Sequence, residues 1–283
     1  MMEQRLEVIR SKPTIEGAGV HLKRAFGFHE VPKFDPFLLL DDFGSDDPRD
    51  YILGFPWHPH RGIETVTYMK SGMVKHEDSI GNKGIIRSGD VQWMTAGSGI
   101  VHQEMPQQYE GRMRGFQLWV NLPASHKMMP PRYREVKSEQ IPEVVLDDGV
   151  VVKLISGELG GKRGPVRDII VDTEYFDVVV PSSKSFKYDI KDGFKTFAYV
   201  YDGRALFKPK KMPITAGDVV IFHGIDKVEV NADNETAHVL LVSGRTINEP
   251  VAWYGPIVMN TKEELDVAFR EYQEGDFIKH QKT

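Results

Sequence analysis

Two short stretches concentrate the residues of this chain whose types and spacing could hold a metal ion. "FPWHPHRGIET" (55 to 65) places His58 and His60 one residue apart, and "GIVHQEMP" (99 to 106) places His102 and Glu104 at the same spacing. Side chains at i and i+2 of an extended strand project to one face, so each pair is half a chelate while Pro59 and Gln103 turn away. Pro59 also holds His58 in the extended region, which favours a strand over a helix at that point. A lone His-x-His is a weak signal, because an edge-strand histidine is satisfied by a hydrogen bond or by water. Two such pairs are stronger: folded into a barrel, their strands aim three imidazoles and one carboxylate at a point. A single carboxylate among four ligands leaves a divalent ion partly neutralised, and two positions of an octahedron stay open for water, substrate or dioxygen. Open positions point to chemistry or sensing rather than to a structural ion.

Strands must position these residues, and the chain supplies them. Runs such as "GIETVTYMKSG", "GFQLWVNLP", "FDVVVP", "FKTFAYVYDG", "GDVVIFHG" and "AHVLLVSG" are β-branched and aromatic, and Gly, Pro, Asn and Asp break them. This pattern predicts barrels or sandwiches rather than βαβ units. One helix is expected near the end: in "NTKEELDVAFREYQEGD", Thr261 and Glu264 fit a capping box, Leu265, Ala268, Phe269 and Tyr272 form an apolar stripe, and Gly275 supplies the stop.

An internal repeat sets the organisation. "TVTYMKSG" (65 to 72) matches "TFAYVYDG" (196 to 203) at its Thr, Tyr and Gly positions, and each is followed by "SGDVQW" (88 to 93) or "AGDVVI" (216 to 221). Two copies of one β-domain are expected, divided near 136 in the proline- and charge-rich stretch "NLPASHKMMPPRYREVKSEQIPEV" (121 to 144), as 1–136 and 137–283. Counting back from Thr196 puts Asp189 and Lys191 where the first copy has His58 and His60, and the position matching His102 is Val230. The second copy therefore lacks the site, and His223 and His238 read as packed or solvated.

Composition narrows the function classes. With 283 residues there is room for two cores, and a net charge of -5 argues against a dedicated nucleic-acid binder. "KPKK" (208 to 211) is the one basic run and reads as a solvated hairpin tip. No run reaches the ~18 apolar residues of a membrane helix, and the charged start has no apolar signal core, so a cytoplasmic protein is expected. The absence of cysteine excludes disulfides, thiolate metal sites and a cysteine nucleophile. "SGELGGKRGP" (156 to 165) departs from a phosphate loop at Ser156 and Arg163 and reads as a glycine-rich turn. Phe55, Trp57, Trp93 and Met94 are candidates to line an apolar pocket beside the metal.

"DPFLLLDDFG" (35 to 44), "HPHRGIETVTY" (58 to 68), "GDVQWMTAGSGIVHQEMP" (89 to 106), "GFQLWVNLP" (115 to 123) and "EPVAWYGPIVMNTKEEL" (249 to 265) resemble the pirin family of bicupins over nearly the whole chain. The resemblance implies an all-β fold of two tandem cupin barrels of jelly-roll type with a C-terminal helix, and one mononuclear metal in the N-terminal barrel only. Its ligand pattern falls on His58, His60, His102 and Glu104, the four residues found from strand geometry. Glu64 sits where many cupins place a carboxylate ligand, but the pirin pattern takes its carboxylate from the second motif, which leaves Glu64 a supporting or structural role. The implied metal is iron, although nickel, manganese, cobalt, copper or zinc can occupy such ligands. The implied activity is that of a quercetin 2,3-dioxygenase, with a small aromatic substrate and dioxygen as partners and Glu104 as the base. The alternative is a non-enzymatic metal and redox sensor that binds a transcription factor or a metabolic enzyme. A monomer is expected, with no direct binding of nucleic acid and no membrane contact.

Overall fold

The computed structural model describes residues 4–209 and 213–280. It is almost entirely β, built as two units, one of residues 13–138 with 247–283 and one of residues 1–12 with 139–246. The linear division expected from the repeat thus becomes an exchange of termini, and each unit takes a segment from the far end of the chain. The proline-rich stretch at 121 to 144 is more structured than a linker. Within it Arg132–Val136 pairs antiparallel with Val91–Thr95 and closes the edge of the first barrel. Extended residues following Pro130 and Pro131 suit such an edge, where one row of backbone donors needs no partner.

In the unit that carries both histidine motifs, the larger sheet runs Arg132–Val136, Val91–Thr95, Ile63–Ser71, Arg114–Asn121, Phe37–Phe43, Val20–Phe26 and Lys12–Glu16. The smaller sheet runs Phe55–His60, Ile100–Pro106, Met73–Asp78 and Lys83–Arg87. The helix Lys262–Glu274 packs on this unit through buried Leu265 and Ala268. Its start and stop are those read from the sequence: Thr261 and Glu264 form the capping box, and Gly275 ends it at φ 82°.

The other unit repeats the plan. Its larger sheet runs Arg5–Arg10, Asp218–His223, Phe194–Asp202, Ala237–Arg245, Thr173–Val180, Val151–Ser156 and Glu143–Val145, and its smaller one Ser185–Asp189, Lys227–Ala232, Arg204–Phe207 and Pro213–Thr215. The repeat strands Ile63–Ser71 and Phe194–Asp202 hold the same third place in their sheets. The first strand of the chain, Arg5–Arg10, takes the edge that Arg132–Val136 takes in the other barrel. "SGELGGKRGP" forms a tight hairpin whose Gly160 and Gly161 both have positive φ, of 58° and 73°. Lys208 of "KPKK" pairs with Glu229, while Lys210 and Lys211 lie outside the described residues.

Candidate metal centre

His58 and His60 end the strand Phe55–His60, which lies antiparallel to Ile100–Pro106 with His102 opposite His58. Along Ile100–Pro106 burial alternates, and His102 and Glu104 fall on the same buried face, as period-2 geometry requires. The register slips between His102 and Glu104, so a bulge sets how these two side chains are aimed relative to the partner strand.

The three imidazoles meet. His58 Nε2 lies 3.1 Å from His60 Nε2 and 2.9 Å from His102 Nε2. Among the described residues they are the one group of three or more histidine or carboxylate side chains that could share an ion, with donor atoms within 4.8 Å of one another. The opposite ring nitrogens fix the tautomers. His58 Nδ1–H donates to the Pro56 carbonyl at 2.8 Å, and His60 Nδ1–H donates to the Pro256 carbonyl at 3.0 Å. Each Nε2 is then left as a lone pair facing the others. Burial first, and then neighbouring imidazoles, push His60 and His102 well below the ordinary histidine value, so both rings are neutral at pH 7. Three converging lone pairs repel unless a cation lies between them, so the donor set fits a metal.

Glu104 stands apart from this triad but opens on the same cavity. Its Oε1 accepts from Thr67 Oγ1 at 2.9 Å, and the same hydroxyl lies 2.7 Å from the Gln117 side-chain amide. The amide atom facing the hydroxyl is Gln117 Oε1, and because one hydroxyl has one proton, Thr67 can donate to only one of these two acceptors at a time. Oε2 is left for a metal or for a proton. Glu64 is held elsewhere: Trp93 Nε1 donates to it at 3.1 Å and Thr95 Oγ1 at 2.6 Å, so its role is structural. His223 pairs with Glu7 and His238 packs against Tyr201, and neither joins an imidazole cluster.

The cavity above the triad has a volume of about 670 Å³, within the range of small-molecule sites. Phe55 and Trp57 line it as expected, whereas Trp93 and Met94 are buried core. Residues not anticipated from the sequence complete it: Trp119, whose ring meets His60 at 5.1 Å, Trp253 at 5.6 Å from Trp119, Tyr254, and the bidentate pair Arg24–Asp41. Burial pushes the Asp41 carboxyl up to about 6, against the pull of Arg24, and it remains ionised at neutral pH.

Trp253, Tyr254 and Pro256 arrive from the C-terminal segment, and "HPHRG" itself anchors that segment. Arg61 is 1% exposed; its guanidinium donates to the Ser98 and Phe277 carbonyls, pairs with Glu271 at 2.8 Å and lies 4.3 Å from the Phe277 ring. Lys127 Nζ donates to the carbonyls of Gly62 and Val258 and to Asn121 Oδ1. Gly62 has φ 78°, and a Cβ there would sit 1.9 Å from the Val258 carbonyl oxygen. Sequence reasoning missed these anchors because those that reach the C-terminal segment pair residues 131 to 216 positions apart, although a charged residue directly after His60 was visible.

The pirin family model matches residues 19–120, and that of the pirin C-terminal cupin domain matches 175–278. A pirin-like protein of Caulobacter vibrioides is 48% identical over 273 residues, which is 96% of this chain and 98% of that protein. Pirin of Homo sapiens is 39% identical, covering 94% of this chain and 90% of its own. Among solved structures, a quercetin 2,3-dioxygenase from Acinetobacter baumannii superposes with a TM-score of 0.90 at 30% identity, covering 98% of both chains. With two cupin barrels and family matches in both halves, the chain belongs to the pirin family of bicupins.

Proposed function

We propose that this protein is a metal-dependent dioxygenase of flavonol-like substrates, of the quercetin 2,3-dioxygenase type, with one divalent metal, iron in the first instance, held by His58, His60, His102 and Glu104. The observation that carries the reading is the convergence of three Nε2 lone pairs beside an aromatic cavity that His58, His60 and Glu104 line. The name of the Acinetobacter baumannii relative supports the choice of substrate class.

When bound, the metal would supply a Lewis acid for a substrate oxyanion and a site for dioxygen. The residues of this chain do the rest. Trp57, Phe55, Trp119 and Trp253 offer flat apolar faces to a planar polyphenol and exclude water from the floor of the cavity. Glu104, oriented by the Thr67 hydroxyl at Oε1, accepts the acidic hydroxyl proton of the substrate. Dioxygen then attacks the deprotonated flavonol, whose ring opens with release of carbon monoxide. Arg24 and Gln117 present hydrogen-bond donors at the cavity wall for the remaining substrate oxygens.

The test is anaerobic loading with Fe(II) and then addition of quercetin and air, following flavonol absorbance and carbon monoxide. Turnover that His58→Ala removes supports the reading. Glu104→Gln should cost about 10²–10⁴ in kcat, more than it lowers metal content. Bound iron with no turnover would move the protein to the sensor reading.

A further inference from the structure

The mechanism above leaves one buried histidine unused. His76, on the strand Met73–Asp78 beside Ile100–Pro106, is 1% exposed, and its ring lies against His102 with centroids 5.3 Å apart. The two Nδ1 atoms are 3.5 Å apart, at the outer limit of hydrogen bonding. On its other side His76 Nε2 lies 3.2 Å from Asp78 Oδ2, and neither side chain touches solvent. Asp78 is saturated with donors: the Ile80 and Asn82 amides to Oδ1 at 3.1 and 2.9 Å, and Asn82 Nδ2 to Oδ2 at 2.8 Å. Burial alone would raise its carboxyl, but the bonds from His76 and Asn82 outweigh burial and hold it below the ordinary range.

These contacts fix each proton in turn. An ionised carboxylate only accepts, so a neutral His76 carries its proton on Nε2 and turns a bare Nδ1 toward His102. His102 must then carry its proton on Nδ1, which leaves its Nε2 as the lone pair that meets His58. The other two imidazoles obtain the same tautomer from neutral acceptors, the carbonyls of Pro56 and Pro256. His102 is the member of the triad whose far nitrogen leads to a buried charge.

We propose that Asp78 and His76 are positioning residues, a carboxylate–imidazole relay that sets the tautomer and orientation of His102 for metal binding. The proposal rests on the metal reading of the triad. Asp78→Asn would reverse the relay. The amide NH2 facing His76 would call for a bare Nε2 there, the His76 proton would move to Nδ1, and His102 would be driven to protonate the nitrogen the metal needs. Carboxylate partners of ligand histidines are worth about 10–100-fold in metal affinity.

The experiment is Co(II) titration of the metal-free full chain, reading both the dissociation constant and the visible Co(II) spectrum, with thermal unfolding to confirm that each variant is folded. Asp78→Asn should bind Co(II) about 10–100-fold more weakly. Asn82→Ala removes a donor to the same Oδ2 without touching His76 and should bind like the wild type. His76→Gln keeps an acceptor for His102 Nδ1–H and should retain more affinity than His76→Phe, which also serves as the probe should Asp78→Asn not fold. Wild-type affinity in Asp78→Asn or His76→Phe overturns the relay. Equal losses in Asn82→Ala and Asp78→Asn overturn it too, by reducing Asp78 to a turn-former. A wild-type chain that takes up no Co(II) overturns the metal reading, and the relay with it.

Discussion

The two barrels share one plan and differ in what fills them. In the unit of residues 139–246, the small-sheet strands Ser185–Asp189 and Lys227–Ala232 turn Phe186, Tyr188, Val228 and Val230 into a continuous apolar core that extends to Leu6, Val200 and Leu241. In the unit of residues 13–138, the strands that hold the same places in the small sheet, Phe55–His60 and Ile100–Pro106, bring in His58, His60, His102 and Glu104. The framework therefore closes without a metal, and the polar interior of one copy is an addition to it. Buried polar groups are costly when unpaired, and Thr67, Gln117, His76 and Asp78 supply partners around the triad and Glu104.

That contrast can be broken in several places. The largest effect should come from His58→Ala or His102→Ala, which should weaken metal binding by more than the about 10–100-fold of an outer-shell change; equilibrium dialysis checks this. Val230→His in the other barrel should add no metal site and should cost roughly 2–4 kcal/mol in urea unfolding, because a polar ring replaces a packed valine.

Lys127→Met should cost about 3 kcal/mol by leaving buried acceptors on Gly62, Asn121 and Val258 unpaired. Burial lowers the Lys127 ammonium to about 7, against about 10.4 for an unfolded lysine. The unfolded chain therefore binds more protons between these values, and this site makes stability rise with pH over that window. The slope should flatten in the variant, as urea midpoints at pH 7 and 9 would show.

The smallest effect is expected at Trp57, which is 48% exposed at the cavity mouth. Trp57→Ala should change stability by less than about 0.5 kcal/mol, yet raise the quercetin KM roughly tenfold through lost stacking.

Most of the site was legible because it obeys a local rule. Alternation along a strand pairs His58 with His60 and His102 with Glu104, and a barrel is the fold in which two such strands face each other. The helix was legible for the same reason, since Thr261, Glu264 and Gly275 act within a few residues of one another. What escaped was non-local. Nothing near Trp253 or Pro256 indicates that this segment returns to His60 and Trp119, and nothing in "RLEVIR" indicates that Arg5–Arg10 edges the other barrel. His76 was overlooked although "VKHEDS" carries His76 and Asp78 at the same-face spacing of His102 and Glu104, because only the pairing of its strand with Ile100–Pro106 brings it against His102.

The most direct test of the account is the number of metal ions per chain after anaerobic Fe(II) loading and desalting, measured by elemental mass spectrometry on the wild type and on His58→Ala. One ion per wild-type chain and none in the variant is the predicted result. An empty wild-type chain, or an ion that survives in His58→Ala, would contradict it.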